Sequence, residues 1–191
     1  YRSALVPVWQ QANPAEIPAP GSGTPHGTAN HGNYVWWFGL NETGDYDNGR
    51  RAAGSLVSPV TNLPAISSRA AIVFWHWFEV ESGGNNDTMT VSIKNTSDSG
   101  WYELKRWDSG SIPVSAWNQE VIIIDAWLGC QVQINFTFDT QSVYSNYFAG
   151  WHLDDFLFYT NDMYIIAGEP GPGGYSAYAI DAYGNARDLG L

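Results

Sequence analysis

The 191-residue chain carries 19 acidic against 8 basic side chains, a formal net charge of −11. Such a surface repels phosphate backbones and anionic headgroups, which argues against nucleic acid as a partner, and no run approaches the roughly 20 apolar residues that span a bilayer, so membrane insertion is not expected. With 44% hydrophobic, 15% aromatic and 14% charged residues, the composition is that of a chain with a core and excludes intrinsic disorder.

The length suits one domain with tails. Twenty glycines and ten prolines punctuate short runs rich in Val, Ile, Thr, Tyr and Trp, so the chain reads as strands joined by turns with almost no helix. Cys130 is the single cysteine; an internal disulfide is excluded and packing against a core is its expected role. No basic start followed by an apolar segment marks a signal peptide, so one is expected to be absent or already removed.

Residues 1 to 33 begin with a short apolar stretch, Ala4 to Trp9, and continue into a proline- and glycine-dense run from Asn13 to Gly32. They read as an extended amino-terminal arm. The first clear strand is Tyr34 to Leu40, followed by a turn-rich loop from Asn41 to Gly49. Gly54 to Pro64 makes a short strand with an irregular edge, since proline cannot donate to a ladder. Ala70 to Glu81 is the strongest strand, with Ile72, Phe74, His76 and Phe78 on one face and Val73, Trp75, Trp77, Glu79 and Glu81 on the other. Being apolar on both sides, it requires a sheet covered on both faces or an outer aromatic binding surface.

Further strands are expected at Met89 to Ile93, Trp101 to Trp107, Trp117 to Asp125, Gln131 to Phe138 and Trp151 to Tyr159. Their spacing predicts an all-β fold, an antiparallel β-sandwich of jelly-roll type over residues 34–165. Residues 166–191 form a Gly/Pro linker and a strand-like run, Tyr175 to Tyr183, which either adds an edge strand to its own sandwich or pairs with another molecule. Within the Trp151 to Tyr159 strand, the adjacent Asp154 and Asp155 face opposite sides if alternation holds, so one points towards a protein interior and needs a cation or hydrogen bonds.

The ordered series Gly44-Asp-Tyr-Asp-Asn-Gly49, Gly54-Ser-Leu-Val-Ser-Pro59, Phe74-Trp-His-Trp-Phe-Glu-Val-Glu81, Asn86-Asp-Thr-Met-Thr-Val91, Phe138-Asp-Thr140 and Gly150-Trp-His-Leu-Asp-Asp-Phe156 resembles the MAM-like jelly-roll domains attached to secreted bacterial peptidases of the immune inhibitor A type. The resemblance covers residues 34 to 160 and implies a non-catalytic, secreted, extracellular module with a structural calcium ion. It places Glu81 and Asp155 at that ion. Calcium takes several oxygens, and Asp45, Asp47, Asp87 and Asp154 are the other carboxylates that loop placement offers; the bland alternative is solvated turn residues and Asx caps.

Carbohydrate binding is a second reading, because sugars present apolar faces to tryptophan. Trp36, Trp75 and Trp77 are the candidates, although most strand tryptophans are core. Catalysis fares worst. His76 and His152 neighbour acidic residues, but no nucleophile elbow, phosphate loop or His-Glu-x-x-His run is present. The chain is therefore expected to be no enzyme. The main functional expectation is an adhesive or structural module, its arms adding strands to neighbouring copies of itself, in a filament or surface layer, or to other extracellular domains, with glycan binding as the alternative. Four Asn-x-Ser/Thr sequences, at Asn41, Asn86, Asn95 and Asn135, match the glycosylation pattern.

Overall fold

The computed structural model describes residues 6–82, 87–110 and 116–161, and beyond these Asn161 only three backbone strands. In chain order the strands are β1 (Val8–Ala12), β2 (Val35–Gly39), β3 (Ala53–Val57), β4 (Thr61–Asn62), β5 (Ala70–Glu79), β6 (Thr88–Asn95), β7 (Tyr102–Asp108), β8 (Asn118–Ile123), β9 (Gln131–Asp139), β10 (Gly150–Thr160), β11 (Met163–Ile166), β12 (Tyr178–Ile180) and β13 (Ala186–Asp188). Two short 3-10 turns, Pro14–Glu16 and Asp125–Trp127, are the helical elements among the described residues.

All pairings are antiparallel and form two sheets. In the first, β8, β5, β10, β2 and β1 lie side by side. The edge of β10 away from β5 is shared: His152 and Leu153 pair with β2, while Leu157 to Thr160 pair with β11. In the second sheet, β3 and β4 follow each other along β9, and β9, β6 and β7 complete it. Of the expected run Tyr175 to Tyr183 the described part is β12, which pairs with β11 and β13 of its own chain and so extends its own sheet; the rest of the run lies outside the described residues. The proline- and glycine-rich residues 169–174 lie outside the described residues.

Alternation of side chains decides what fills the sandwich. From β5 come Ile72, Phe74, His76 and Phe78; from β9 Val132, Ile134, Phe136 and Phe138; from β6 Met89, Val91 and Ile93; and all are buried. Edge-to-face rings join the sheets, Phe74 to Phe136 at 5.1 Å and Phe136 to Trp151 at 5.9 Å. Cys130 is half-buried at the margin of this core.

The segment that reads as an arm contributes to the fold. Its residues 8–12 form the edge strand β1, and Trp9 packs on Phe38 and Trp151 of its own sheet and reaches across the sandwich to donate to Gly54 O of the other at 3.2 Å. From Asn13 onwards it carries no strand, as its composition predicts, yet it covers the outer face of the first sheet. Ala12, Val35 and Trp37 form a second small core there with Ile17, Ala29 and Trp117 against them.

Gly54 lets the sheets close where β3 crosses Phe38. A Cβ at that position would stand 2.5 Å from the Phe38 ring. Gly54→Val is therefore expected to lower stability by about 2–3 kcal/mol through overpacking, read as a lower urea midpoint; an unchanged midpoint would show that Phe38 has room to move.

Candidate functional site

Residues paired directly across strands share a face, with Cβ atoms about 4.5–5.5 Å apart. The register therefore lays out the outer face of the first sheet in rows: Trp37, His152 and Trp77; then Asp154, Trp75 and Gln119; then Leu157, Val73 and Val121; then Tyr159, Ala71 and Ile123. Trp36 pairs with Leu153 in the alternate, inward-facing set and packs against the core. Of the three candidate sugar-binding tryptophans, Trp75 and Trp77 thus share one face and Trp36 stands on the other.

The amino-terminal layer closes over the first row. His26 is the pin: Nε2 lies 2.8 Å from Gly44 O and Nδ1 lies 3.0 Å from His152 Nε2. A carbonyl only accepts, so His26 carries its hydrogen on Nε2 and its Nδ1 accepts from His152 Nε2–H. His152 Nδ1 is buried near the Gly150 backbone without a hydrogen bond of ordinary geometry. Burial pushes both imidazoles below their ordinary value and keeps the pair neutral. Trp77 packs edge-on against His152 at 4.7 Å, Trp117 Nε1 donates to Thr28 O at 2.9 Å, and Ser22 Oγ donates to Glu79 Oε2 at 3.0 Å.

Where the layer ends, β10 carries a bulge. The register slips between Asp154 and Leu157, and Asp155 takes φ 51°, in the left-handed region. Inward positions run through Trp151 and Leu153 before the bulge and Phe156 and Phe158 after it. The two aspartates consequently do not face opposite sides, contrary to the alternation argument. Both meet the same loop: Asp154 Oδ2 accepts from the backbone N–H of Asn30 and His31 at 3.0 and 3.1 Å, and Asp154 Oδ1 from Asp155 N at 2.9 Å. Asp155 Oδ2 accepts from Asn30 Nδ2 at 2.9 Å and bonds His31 Nδ1. Burial nevertheless raises the Asp154 carboxyl to about 6, against the lowering effect of His31 N–H.

Trp75 sits in the row at the margin of the layer. Its half-buried ring is flanked by the Asp154 carboxylate with its Asn30 and His31 partners on one side and by exposed Gln119 on the other. Below it the face is apolar and open, with Val121 and Ile123 52% and 58% exposed.

The structure does not bring together Glu81 and Asp155, the two positions that the resemblance places at one ion. Trp75, level with Asp154, lies six residues before Glu81, or about 20 Å along an extended strand, so Asp155 and Glu81 share no ion. Asp45 Oδ1 accepts from Thr43 Oγ1 and Asp47 N at 2.7 and 3.1 Å, and Asp47 Oδ1 from Gly49 N at 2.8 Å, the bonds of turn caps. Among the described residues no three of His, Cys, Asp or Glu converge as metal ligands.

Glu81 and Asp87 come together as well, and unlike the other candidate carboxylates they keep unpartnered oxygens. Asp87 Oδ2 accepts from Tyr46 Oη at 2.5 Å and from Glu81 N at 3.4 Å, whereas Asp87 Oδ1 and Glu81 Oε1 are buried without partners. Burial, with Glu81 adding repulsion, raises Asp87 to about 7 despite the Tyr46 bond. These two free oxygens are the ones that could hold a cation.

His76 and His152 serve packing. His76 is 3% exposed among Phe74, Phe78 and Trp107, and burial together with Lys105 lowers it to about 4; His152 has no exposed surface. The residues overlooked in the sequence are His26, Asn30 and His31, whose partners lie up to 126 positions away. The one available signal was that a buried aspartate must find N–H donors somewhere.

No family model matches the chain, and no curated protein sequence matches it. Among solved structures it is similar to TmCBM61, a structure in complex with β-1,4-galactotriose, at 16% identity and a TM-score of 0.42, over 80% of this chain and 88% of that one.

Asp87 holds its proton more tightly folded than unfolded, so its contribution to stability is present near pH 4 and is lost as pH rises towards 7. Asp87→Asn cannot lose a proton there. In metal-free buffer the variant should gain on the parent chain across that window, reaching on the order of 2 kcal/mol at pH 8. Urea unfolding at matched pH isolates this difference from the buried histidines, which act in the opposite sense; a pH-independent difference would refute the assignment.

Proposed function

We propose that this chain is a non-catalytic carbohydrate-binding module acting outside the cell. The observation that carries the reading is the Trp75 row. A half-buried indole on a sheet face, with hydrogen-bonding side chains at both flanks and an apolar strip below, matches what a pyranose presents: an apolar ring face and a rim of hydroxyls. The bulge and the bonds to Asn30 and His31 hold the polar flank before any ligand arrives, which limits the ordering cost of binding.

Affinity electrophoresis against soluble galactan, xylan and mixed-linkage glucan, followed by titration with the matching trisaccharides, tests this directly. At least one glycan should bind, and Trp75→Ala should weaken it by tenfold or more, about 1.4 kcal/mol, with the melting temperature little changed. Retention by none of the glycans, or full affinity in Trp75→Ala, would end this assignment.

We further propose that a divalent cation, calcium by the all-oxygen character of the donors, stabilises the end of β5 through Glu81 Oε1 and Asp87 Oδ1. Two carboxylates supply part of the six to eight oxygens calcium takes, the remainder being left to carbonyls and water. A bound ion stabilises the folded chain by mass action. Millimolar calcium should then raise the melting temperature of the parent chain and leave Asp87→Asn unmoved; equal curves with calcium and with chelator would exclude the ion.

A further inference from the structure

The loop between β9 and β10 presents a second surface that the Trp75 row does not use. Val143, Tyr144 and Tyr147 are 45%, 76% and 45% exposed there. The loop stands at one end of the sandwich, and Gly150, its exit, is four residues or about 13 Å along β10 from Asp154. It is composed of Gln, Ser, Val, Tyr and Asn (141–147), the mixture that elsewhere combines rigid amphipathic area with adaptable hydrogen bonding.

This loop is held in shape. Gln141 and Ser145 occupy the left-handed region at φ 53° and 58°, a conformation that non-glycine residues keep only when their surroundings impose it. The surroundings do so. Gln141 donates to Asp139 through both its N–H and its Nε2, at 2.9 Å each; Tyr144 N donates to Ser142 Oγ at 3.1 Å; Ala149 N donates to Glu79 Oε2 at 2.9 Å; and Ser22 N donates to Tyr147 O at 2.8 Å. The Tyr147 ring stacks on Phe148 at 4.6 Å and 24°. Asn146 is 1% exposed and anchors the loop from inside: its Nδ2 donates to Arg50 O at 3.3 Å, while its buried Oδ1 has no partner.

Size and charge select the occupant. Three exposed apolar side chains of one loop fall far short of the roughly 20–30 residues per side of a stable protein interface, but they suit one to three sugar units. Of the charges nearby, Arg51 is paired with Asp139 at 2.5 Å. The net charge of −11 on the chain disfavours an anionic ligand and leaves a neutral one unopposed.

We infer that residues 141–148 form a second carbohydrate contact, for a neutral oligosaccharide of one to three units, so that the module is bivalent. The inference rests on the carbohydrate-binding reading of the Trp75 face. The test is amide chemical-shift mapping of the 15N-labelled chain titrated with β-1,4-galactotriose, xylotriose, cellotriose and, as the acidic control, trigalacturonate. With at least one neutral trisaccharide, the amides of 141–148 should shift in the parent chain and equally in Trp75→Ala, whereas Tyr144→Ala should weaken that response tenfold or more and leave shifts around Trp75 in place. Because Tyr144 is 76% exposed, the variant is read in its own folded spectrum. Shifts confined to the Trp75 face overturn the second contact and leave the first reading standing; shifts nowhere overturn both; a stronger response to trigalacturonate overturns the assignment of a neutral ligand.

Discussion

A carboxylate buried on the outer face of a sheet has to be met by N–H groups, and much of this molecule follows from how Asp154 is met. Three backbone amides, of Asn30, His31 and Asp155, converge on it. Two belong to a segment with little apolar content of its own, which is thereby fixed as a layer over Trp37, His152 and Trp77. The third comes from the bulged residue. The bulge moves the inward set from odd to even positions, so Trp151 and Leu153 are followed by Phe156 and Phe158 in a continuous core. It also falls where the neighbour of β10 changes from β2 to β11. One compensated charge therefore marks the limit of the covering layer, and with it the row in which Trp75 stays partly open.

The aromatic strand β5 divides its labour by face. Its inward residues make the core, where His76 is neutral among rings because burial and Lys105 disfavour its charge. Its outward residues, all half-buried, pass from Trp77 beside His152 to Trp75 at the margin of the layer and Val73 on the apolar strip. At its far end, Glu81 and Asp87 remain a strained acidic pair, two buried oxygens without partners. A proton on Asp87 or a cation between the two relieves that repulsion, and the two remedies have opposite pH dependence.

The division between sequence and tertiary structure follows the range of the interactions. Period-two patterning is local, and it correctly identified β5 and β9 and sorted the β5 side chains into two faces, while packing decided that the face from Ile72 to Phe78 points inward; turn chemistry separated the strands well enough to indicate an antiparallel sandwich. The same pattern failed at Asp154 and Asp155, since strict alternation was carried through the doubled aspartate, whereas one inserted residue in the left-handed region shifts the phase there and reverses every later side chain. β1 was hidden because five residues beside a proline-rich run look extended whether or not a partner strand lies alongside. His26, Asn30 and His31 were hidden because loop residues acquire a role only from what they touch, here β10 more than 120 positions away.

By itself, then, the sequence determined the all-β class, the aromatic core strand and the presence of carboxylates that needed compensation, since each depends on composition and on neighbours two residues apart. Only the tertiary structure decided which carboxylates meet amides and which meet each other, which tryptophan borders the apolar strip, and that Glu81 and Asp155 stand apart. The physical reason is that burial and charge compensation are properties of a packed surface, and chain segments far apart in sequence contribute its two sides.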